Sequence, residues 1–178
     1  MSTFQVDLRG MVDLLSRNLY SGPRVYIREL LQNGLDAIEA RSALDPDCPR
    51  RVTITIEGRT LKCRDSGIGL TEEEAAGLLS TIGASSKRDE LGMARSDFLG
   101  QFGIGMLSCF MISDSITVYS RSAKSPNSPT VIWEGKTEGT YTTHPLSASD
   151  PHNLGEAGTE VVLEAHPGEP WIDPDTVR

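Results

Sequence analysis

The stretch Val25-Tyr26-Ile27-Arg28-Glu29-Leu30-Leu31-Gln32-Asn33-Gly34-Leu35-Asp36-Ala37-Ile38-Glu39-Ala40-Arg41-Ser42 decides how the rest of the chain is read. Ile27, Leu31, Leu35 and Ile38 stand at i, i+4, i+8 and i+11, one stripe of a 3.6-residue helix, so a helix is expected from Val25 to Ser42. Gly22-Pro23 separates it from an earlier helical stretch, Leu14 to Tyr20. Asn33-Gly34 would signal a hairpin turn between alternating strands, but its flanks are helical. Within a helix Gly34 costs roughly 1 kcal/mol relative to Ala, which points to something approaching the backbone closely there.

Glu29, Asn33 and Asp36 fall at i, i+4 and i+7 and share a face opposite the apolar stripe. One reading is a solvated polar face, which most helices have. The other is chemical. Asparagine is a mediocre helix former where glutamate or lysine would serve solvent better, yet its side-chain oxygen is a good hard ligand for Mg²⁺. A carboxylate one turn away could accept a proton from attacking water, as phosphoryl transfer requires.

Working outward, Val52, Ile54 and Ile56 alternate with polar residues, Gly58-Arg59 allows a turn, and Leu61 and Cys63 resume the alternation, which predicts a β-hairpin. It ends in Asp65-Ser66-Gly67-Ile68-Gly69, too glycine-rich to continue as a strand. Asp65 there is either a turn-former or a carboxylate able to accept a hydrogen bond from the exocyclic amine of adenine, with glycines letting the backbone reach the ring. Thr71 with Glu74 fits a capping box for a helix from about Glu72 to Ser80. A charged, poorly periodic stretch follows to Asp97, of a length usual for a lid or a disordered loop. Gly100, Gly103 and Gly105 precede an apolar helix expected from about Ile104 to Ile112. They form either a flexible hinge or a loop that feeds phosphates to a helix N-terminus. Strands are expected at Ser115–Ser122, Thr130–Lys136, Gly139–Thr143 and Thr159–Ala165, with Pro145–Gly158 as a surface connection.

The 178 residues, 38% of them hydrophobic, suffice for one core and one domain. A formal net charge of −8, from 25 acidic and 17 basic side chains with no basic block, disfavours bulk nucleic acid and anionic membranes as partners, but not one Mg²⁺-chelated nucleotide. Cys48, Cys63 and Cys109 lack the spacing of a zinc or redox motif and read as reduced thiols, Cys63 and Cys109 as small core hydrophobes. The first nine residues carry no signal-peptide core, and the longest apolar-rich run, Met106 to Ile112, is too short to span a bilayer, so a cytoplasmic protein is expected.

Neither a Walker P-loop nor a Rossmann fingerprint is present. Taken together, Tyr20-Ser21, the Ile27–Ala37 block, Asp65-Ser66-Gly67-Ile68-Gly69-Leu70 and Gly100-Gln101-Phe102-Gly103-Ile104-Gly105 resemble the N-terminal domain of the Hsp90 chaperones, within the GHKL ATPases, and the resemblance runs from Phe4 to about Ala165. It implies an α+β two-layer sandwich, the Bergerat fold: a mostly antiparallel twisted sheet covered on one face by helices, with a pocket for ATP or ADP and Mg²⁺ between the layers. It also implies Glu29 as general base for water attack, Asn33 as Mg²⁺ ligand and Asp65 as adenine-binding carboxylate. Gly67 and Gly69 would line the base, and Thr159 would support the adenine contact through water. Asp36, Ala37, Leu70, Ser85, Ser86, Met106 and the Gly100–Gly105 loop (Gly100, Gln101, Phe102, Gly103, Ile104, Gly105) would complete the nucleotide site.

By the same resemblance, residues 1–168 form an N-terminal ATP-binding domain with a lid at about 83–99. Residues 169–178, where Asp173-Pro174 matches a helix start, begin a linker toward a middle domain. The expected activity is ATP hydrolysis, weak in this domain alone, in a chaperone that assists protein folding. Client proteins are the expected partners, with homodimerisation through C-terminal regions and transient N-terminal contact on ATP binding. The chain departs from the family pattern at Met106-Leu107, where an aromatic pair usually follows the last glycine, at Ala84, where a lid lysine is often found, and near Leu78, where an asparagine is missing. Lys87 is the candidate for the missing charge. A DNA-repair or topoisomerase clamp ATPase is the competing reading, against which the acidic balance and the Gly-Gln-Phe-Gly-Ile-Gly loop both argue; the early Glu29 helix argues against a histidine-kinase domain.

Overall fold

In the computed structural model, residues 2–3, 10, 24–77, 105–125 and 127–168 are described. The alternating segments pair as expected: β2 (Val52–Glu57) and β3 (Thr60–Asp65) form an antiparallel hairpin running from Val52 opposite Asp65 to Glu57 opposite Thr60. The sheet continues through β4 (Ser115–Arg121), β5 (Val131–Lys136), β6 (Thr140–Pro145) and β7 (Gly158–Glu164), each within a residue or two of its sequence-based bounds. A two-residue strand, β1 (Ser2–Thr3), which sequence reasoning did not anticipate, adds to β6. The order is β1-β6-β5-β4-β7-β3-β2, and every ladder is antiparallel. Placing β7 between β3 and β4 brings Thr159 opposite Asp65 on one side and Ser120 on the other.

One sheet face is apolar. Leu61, Cys63, Ile116, Val118, Val131, Trp133, Val161 and Leu163 are buried there, whereas Lys62, Glu134 and Lys136 on the alternate positions are exposed. Onto the apolar face pack α1 (Val25–Ser42), against β2 and β3, and α2 (Glu72–Gly77), against β5 and β6; a 3-10 helix at Leu107–Met111 touches α1 and β4. The result is the expected α+β architecture, helices over one face of an antiparallel sheet. Tyr26 and Leu30 of α1 join Leu61, Ile116 and Leu163 in a single cluster, each fully buried aliphatic contributing about 1.5–3 kcal/mol.

Helix α1 has the expected bounds but not the expected inward face. Leu31 and Leu35 are 38% and 56% exposed, and the buried residues are Tyr26, Leu30, Asn33, Gly34, Ala37 and Ile38. At about 100° per residue this buried stripe lies roughly a quarter turn from the Ile27/Leu31/Leu35/Ile38 stripe. The cause is steric: a Cβ at Gly34 would stand 2.9 Å from Val52 Cγ2 and 3.3 Å from Asp65 Cβ, so the sheet meets the helix where the helix is narrowest. The close approach inferred from Gly34 is thus made by β2 and β3. Asn33, expected opposite the buried side, is part of it.

The apolar segment after Gly105 is also corrected. Gly105 and Met106 are helical, but Leu107–Met111 winds as a 3-10 helix rather than an α-helix. Ser108 Oγ donates to the Gly105 carbonyl at 2.6 Å, a local bond that competes with the α-helical pattern. The capping box at the start of α2 forms as expected, with the Thr71 N–H donating to Glu74 Oε2 at 2.9 Å and the Glu74 N–H to Thr71 Oγ1 at 3.2 Å. The predicted helix at Leu14–Tyr20, the end of the Glu72–Ser80 helix, the lid segment and the Asp173-Pro174 helix start lie outside the described residues.

Candidate functional site

Asp65 is the last residue of β3, and its carboxylate turns inward at 7% exposure. Its Oδ1 accepts the Gly67 N–H at 2.8 Å, which bends the chain out of the strand. Burial pushes its pKa up to about 6; the N–H groups of Gly67 and Thr159 and the Arg64 charge only partly offset this. Asp65 is therefore an acceptor at neutral pH and a hydrogen-bond donor a little below it.

The loop after Asp65 is held at almost every peptide. Ser66 N–H donates to the Arg51 carbonyl (3.0 Å), Ile68 N–H to the Ala37 carbonyl (2.9 Å), and Leu70 N–H to Ser120 Oγ (2.8 Å). In the other direction the Ile68 carbonyl accepts from Ala123 N–H at 2.7 Å, and the Ser66 carbonyl accepts from the Arg41 guanidinium at 2.9 Å. Gly67 lies so close to Ala37 that a side chain there would collide with it, and Gly69, at φ 66°, would drive a side chain into the Arg121 carbonyl. A loop fixed by bonds from α1, the residue before β2, β4 and the segment after β4 has little freedom left to lose on binding.

Above this loop runs the polar edge of α1. Asn33 is 4% exposed, and among the described residues its Nδ2 has no hydrogen-bond partner. A buried amide left unpaired costs about 1–3 kcal/mol, which marks the position as one that awaits a ligand. One turn earlier, half-buried Glu29 sets its Oε2 2.5 Å from where a Cβ would stand on Gly105, so the carboxylate faces the backbone that leads out of the glycine loop. Half-buried Asp36 accepts from Gln32 Nε2 at 2.8 Å on the exposed side.

The structure thus lines Glu29, Asn33 and Ala37 along α1, with Gly105 against Glu29, Gly67 against Ala37, Asp65 against Gly34 and Thr159 opposite Asp65, while Gly69 and Leu70 continue the loop from Gly67. Asp36 stands at the rim of this group, and Met106 is 2% exposed beside the core. Ser85, Ser86, Gly100, Gln101, Phe102, Gly103 and Ile104 lie outside the described residues. No group of three or more His, Cys, Asp or Glu side chains among the described residues could hold a metal. A Mg²⁺ ion held by one protein amide would take phosphates and waters for its other ligands. Asn33 Oδ1 is the atom that could ligate such an ion, while the unpartnered Nδ2 is a donor suited to a phosphate or water oxygen beside it.

Sequence reasoning missed two residues here. Ser120 occupies the inward phase of β4 after Ile116 and Val118, and a serine in that phase must find a buried partner; it does so in Leu70 N–H and Thr159 Oγ1. Arg41, in the last turn of α1, ties the Ser66 carbonyl to that of Ala157, 3.3 Å away.

The chain matches the family described as "Histidine kinase-, DNA gyrase B-, and HSP90-like ATPase" over residues 20–159, from before α1 to Thr159. It is 33% identical to the "Chaperone protein HtpG" of Cronobacter sakazakii and 34% identical to that of Yersinia pestis, each comparison covering 93% of this chain. The chain spans 28% of the length of those relatives. With a buried carboxylate before a glycine loop, an asparagine-bearing helix above it and this match over most of its length, the chain belongs to the histidine kinase-, DNA gyrase B- and HSP90-like ATPase family.

Proposed function

We propose that this chain is the N-terminal ATP-binding domain of an Hsp90-type chaperone, binding adenine at Asp65 and hydrolysing ATP with Glu29 as the general base. The observation that carries this reading is the buried Asp65 carboxylate, ionised at neutral pH and set at the mouth of a loop whose backbone is already fixed. Such a carboxylate accepts the exocyclic amine of adenine, while Gly67 and Gly69 leave room for the ring. Asn33 would hold Mg²⁺, whose charge neutralises the phosphate oxygens. Glu29, one helical turn away and against Gly105, would orient water and take its proton. The Gly100–Gly105 loop would wrap the phosphates, and Ser85 and Ser86 would belong to a lid at about 83–99.

In this reading the domain comprises residues 1–168, and 169–178 lead toward a middle domain whose arginine would reach the γ-phosphate, so hydrolysis by the domain alone is slow. ATP would fold the lid and create transient contact with a second copy, coupling chemistry to the binding of client proteins. The HtpG relatives are named chaperones, which supports this assignment; a cytoplasmic location and dimerisation through regions beyond this domain go with the same reading. Among the described residues no helix is long and apolar enough to cross a membrane.

Calorimetry with ATP tests the reading. Asp65→Asn is expected to abolish binding, and Glu29→Ala to bind as the unaltered chain does while losing hydrolysis in the full-length protein. Undiminished affinity in Asp65→Asn would overturn the pocket assignment.

A further inference from the structure

Asp65, Thr159 and Ser120 stand in one row across β3, β7 and β4, in register and on the same buried face, at 7%, 3% and 1% exposure. Ser120 Oγ accepts the Leu70 N–H at 2.8 Å, so one lone pair is committed to the base loop. Its single proton has two possible acceptors: Thr159 Oγ1 at 2.8 Å and the Gly158 carbonyl at 3.2 Å. Hydroxyl donors favour about 2.5–3.0 Å, so Thr159 Oγ1 is the better placed of the two acceptors. Were Thr159 to donate instead, the Ser120 proton would be left with only the longer contact to the Gly158 carbonyl.

We propose that Ser120 is a positioning residue: by donating to Thr159 Oγ1 it turns the Thr159 proton toward the base site, so that Asp65 and Thr159 present an acceptor and a donor side by side. The inference rests on the nucleotide reading above and deepens it. The Watson–Crick edge of adenine offers an amine donor beside the ring-nitrogen acceptor N1, which matches that pair directly or through one water. Guanine offers a carbonyl beside an N–H, which opposes it at both positions. A site built this way rejects the wrong base because its own buried groups are then left unpaired. The selectivity of the site is therefore set partly by a residue of β4 that need not touch the nucleotide.

The test compares ADP with a deaza analogue in which N1 is replaced by C–H, on the unaltered chain, Ser120→Ala and Ser120→Thr. The unaltered chain is expected to prefer ADP by roughly tenfold, the size of one well-made hydrogen bond. Ser120→Ala is expected to bring the two ligands within about twofold of each other, and Ser120→Thr, which keeps the hydroxyl, to restore the gap. Loss of the Leu70 N–H acceptor would weaken both ligands alike, so the ratio isolates the direction of the Thr159 proton from general loosening. A ratio unchanged in Ser120→Ala overturns the proposal. So does an unaltered chain that binds ADP and the analogue equally, an arm that needs no variant to fold and leaves the nucleotide reading standing. Failure of the unaltered chain to bind ADP at all overturns that reading, and this one with it.

Discussion

The two halves of the site are built differently. On the sheet side, the loop from Asp65 to Leu70 is bound to Arg51, Ala37, Ala123, Arg41 and Ser120, and two glycines are fitted against neighbouring atoms. On the helix side, α1 holds Asn33 in the buried layer with its amide nitrogen unpartnered among the described residues, and Glu29 against Gly105. The first half is complete without a ligand, as recognition of a rigid planar base requires. The second keeps polar groups in reserve, as suits phosphates and an ion that change during a reaction. Damage to the packed loop of the first half should therefore fall on stability as well as binding, and damage to the second on function alone.

The largest effect expected is at Gly69. Alanine there must adopt φ 66° and meet the Arg121 carbonyl, so Gly69→Ala should cost about 3 kcal/mol or more in urea unfolding and lose ADP binding as well. A loss under about 1 kcal/mol would show that the loop yields easily and would erase the contrast.

Next comes the pH dependence of Asp65. Its folded pKa of about 6 lies above the ordinary 3.8, so between about pH 4 and 6 the folded chain holds a proton that the unfolded chain has lost. The contribution of this group to stability thus falls as pH rises through that window, and above it the cost of the buried charge, on the order of 3 kcal/mol, is complete. Adenine binding needs the carboxylate and runs the other way, with ADP affinity flat above about pH 6 and falling toward tenfold per unit below it. Calorimetry from pH 5 to 8 checks this, and a flat profile would mean that Asp65 does not receive the amine.

On the helix side, Asn33→Ala removes a buried amide whose nitrogen has no partner among the described residues, so stability should change by less than about 1 kcal/mol. The gain in ATP affinity on adding Mg²⁺, on the order of tenfold, should vanish with it. A variant that still folds but loses several kcal/mol of stability and keeps the Mg²⁺ effect would reverse the roles assigned to the two halves.

The two halves were also unequally legible in the sequence. Bounds of α1, the β2–β3 hairpin and the Thr71/Glu74 box follow from period and local chemistry, and the structure returns them. Asp65 with its glycines stood out because the motif is contiguous. The inward face of α1 was misjudged because periodicity counts apolar residues, whereas packing against β2 and β3 selected the small ones, Gly34 and Ala37, leaving Leu35 exposed. Ser120 escaped notice for a related reason: its partners, Leu70 and Thr159, are 50 and 39 residues away, and only the insertion of β7 beside β4 unites them. The 3-10 winding after Gly105 likewise depends on one serine bond that apolar patterning does not register.

The smallest effect expected locates the border of the rigid half. Thr71 follows Leu70, whose N–H is the last one tied to the sheet through Ser120, and its own hydroxyl serves the Glu74 N–H at the start of α2. Thr71→Ala removes that cap while Glu74 stays anchored by Lys124 at 2.5 Å, so the expected loss is about 1 kcal/mol of stability. If the held segment ends at Leu70, ADP affinity should be unchanged, because no bond that fixes the base loop passes through Thr71. A tenfold loss of affinity in a still-folded Thr71→Ala would extend the preorganised half into α2, making the helix that leads toward residues 83–99 part of base recognition rather than only its continuation.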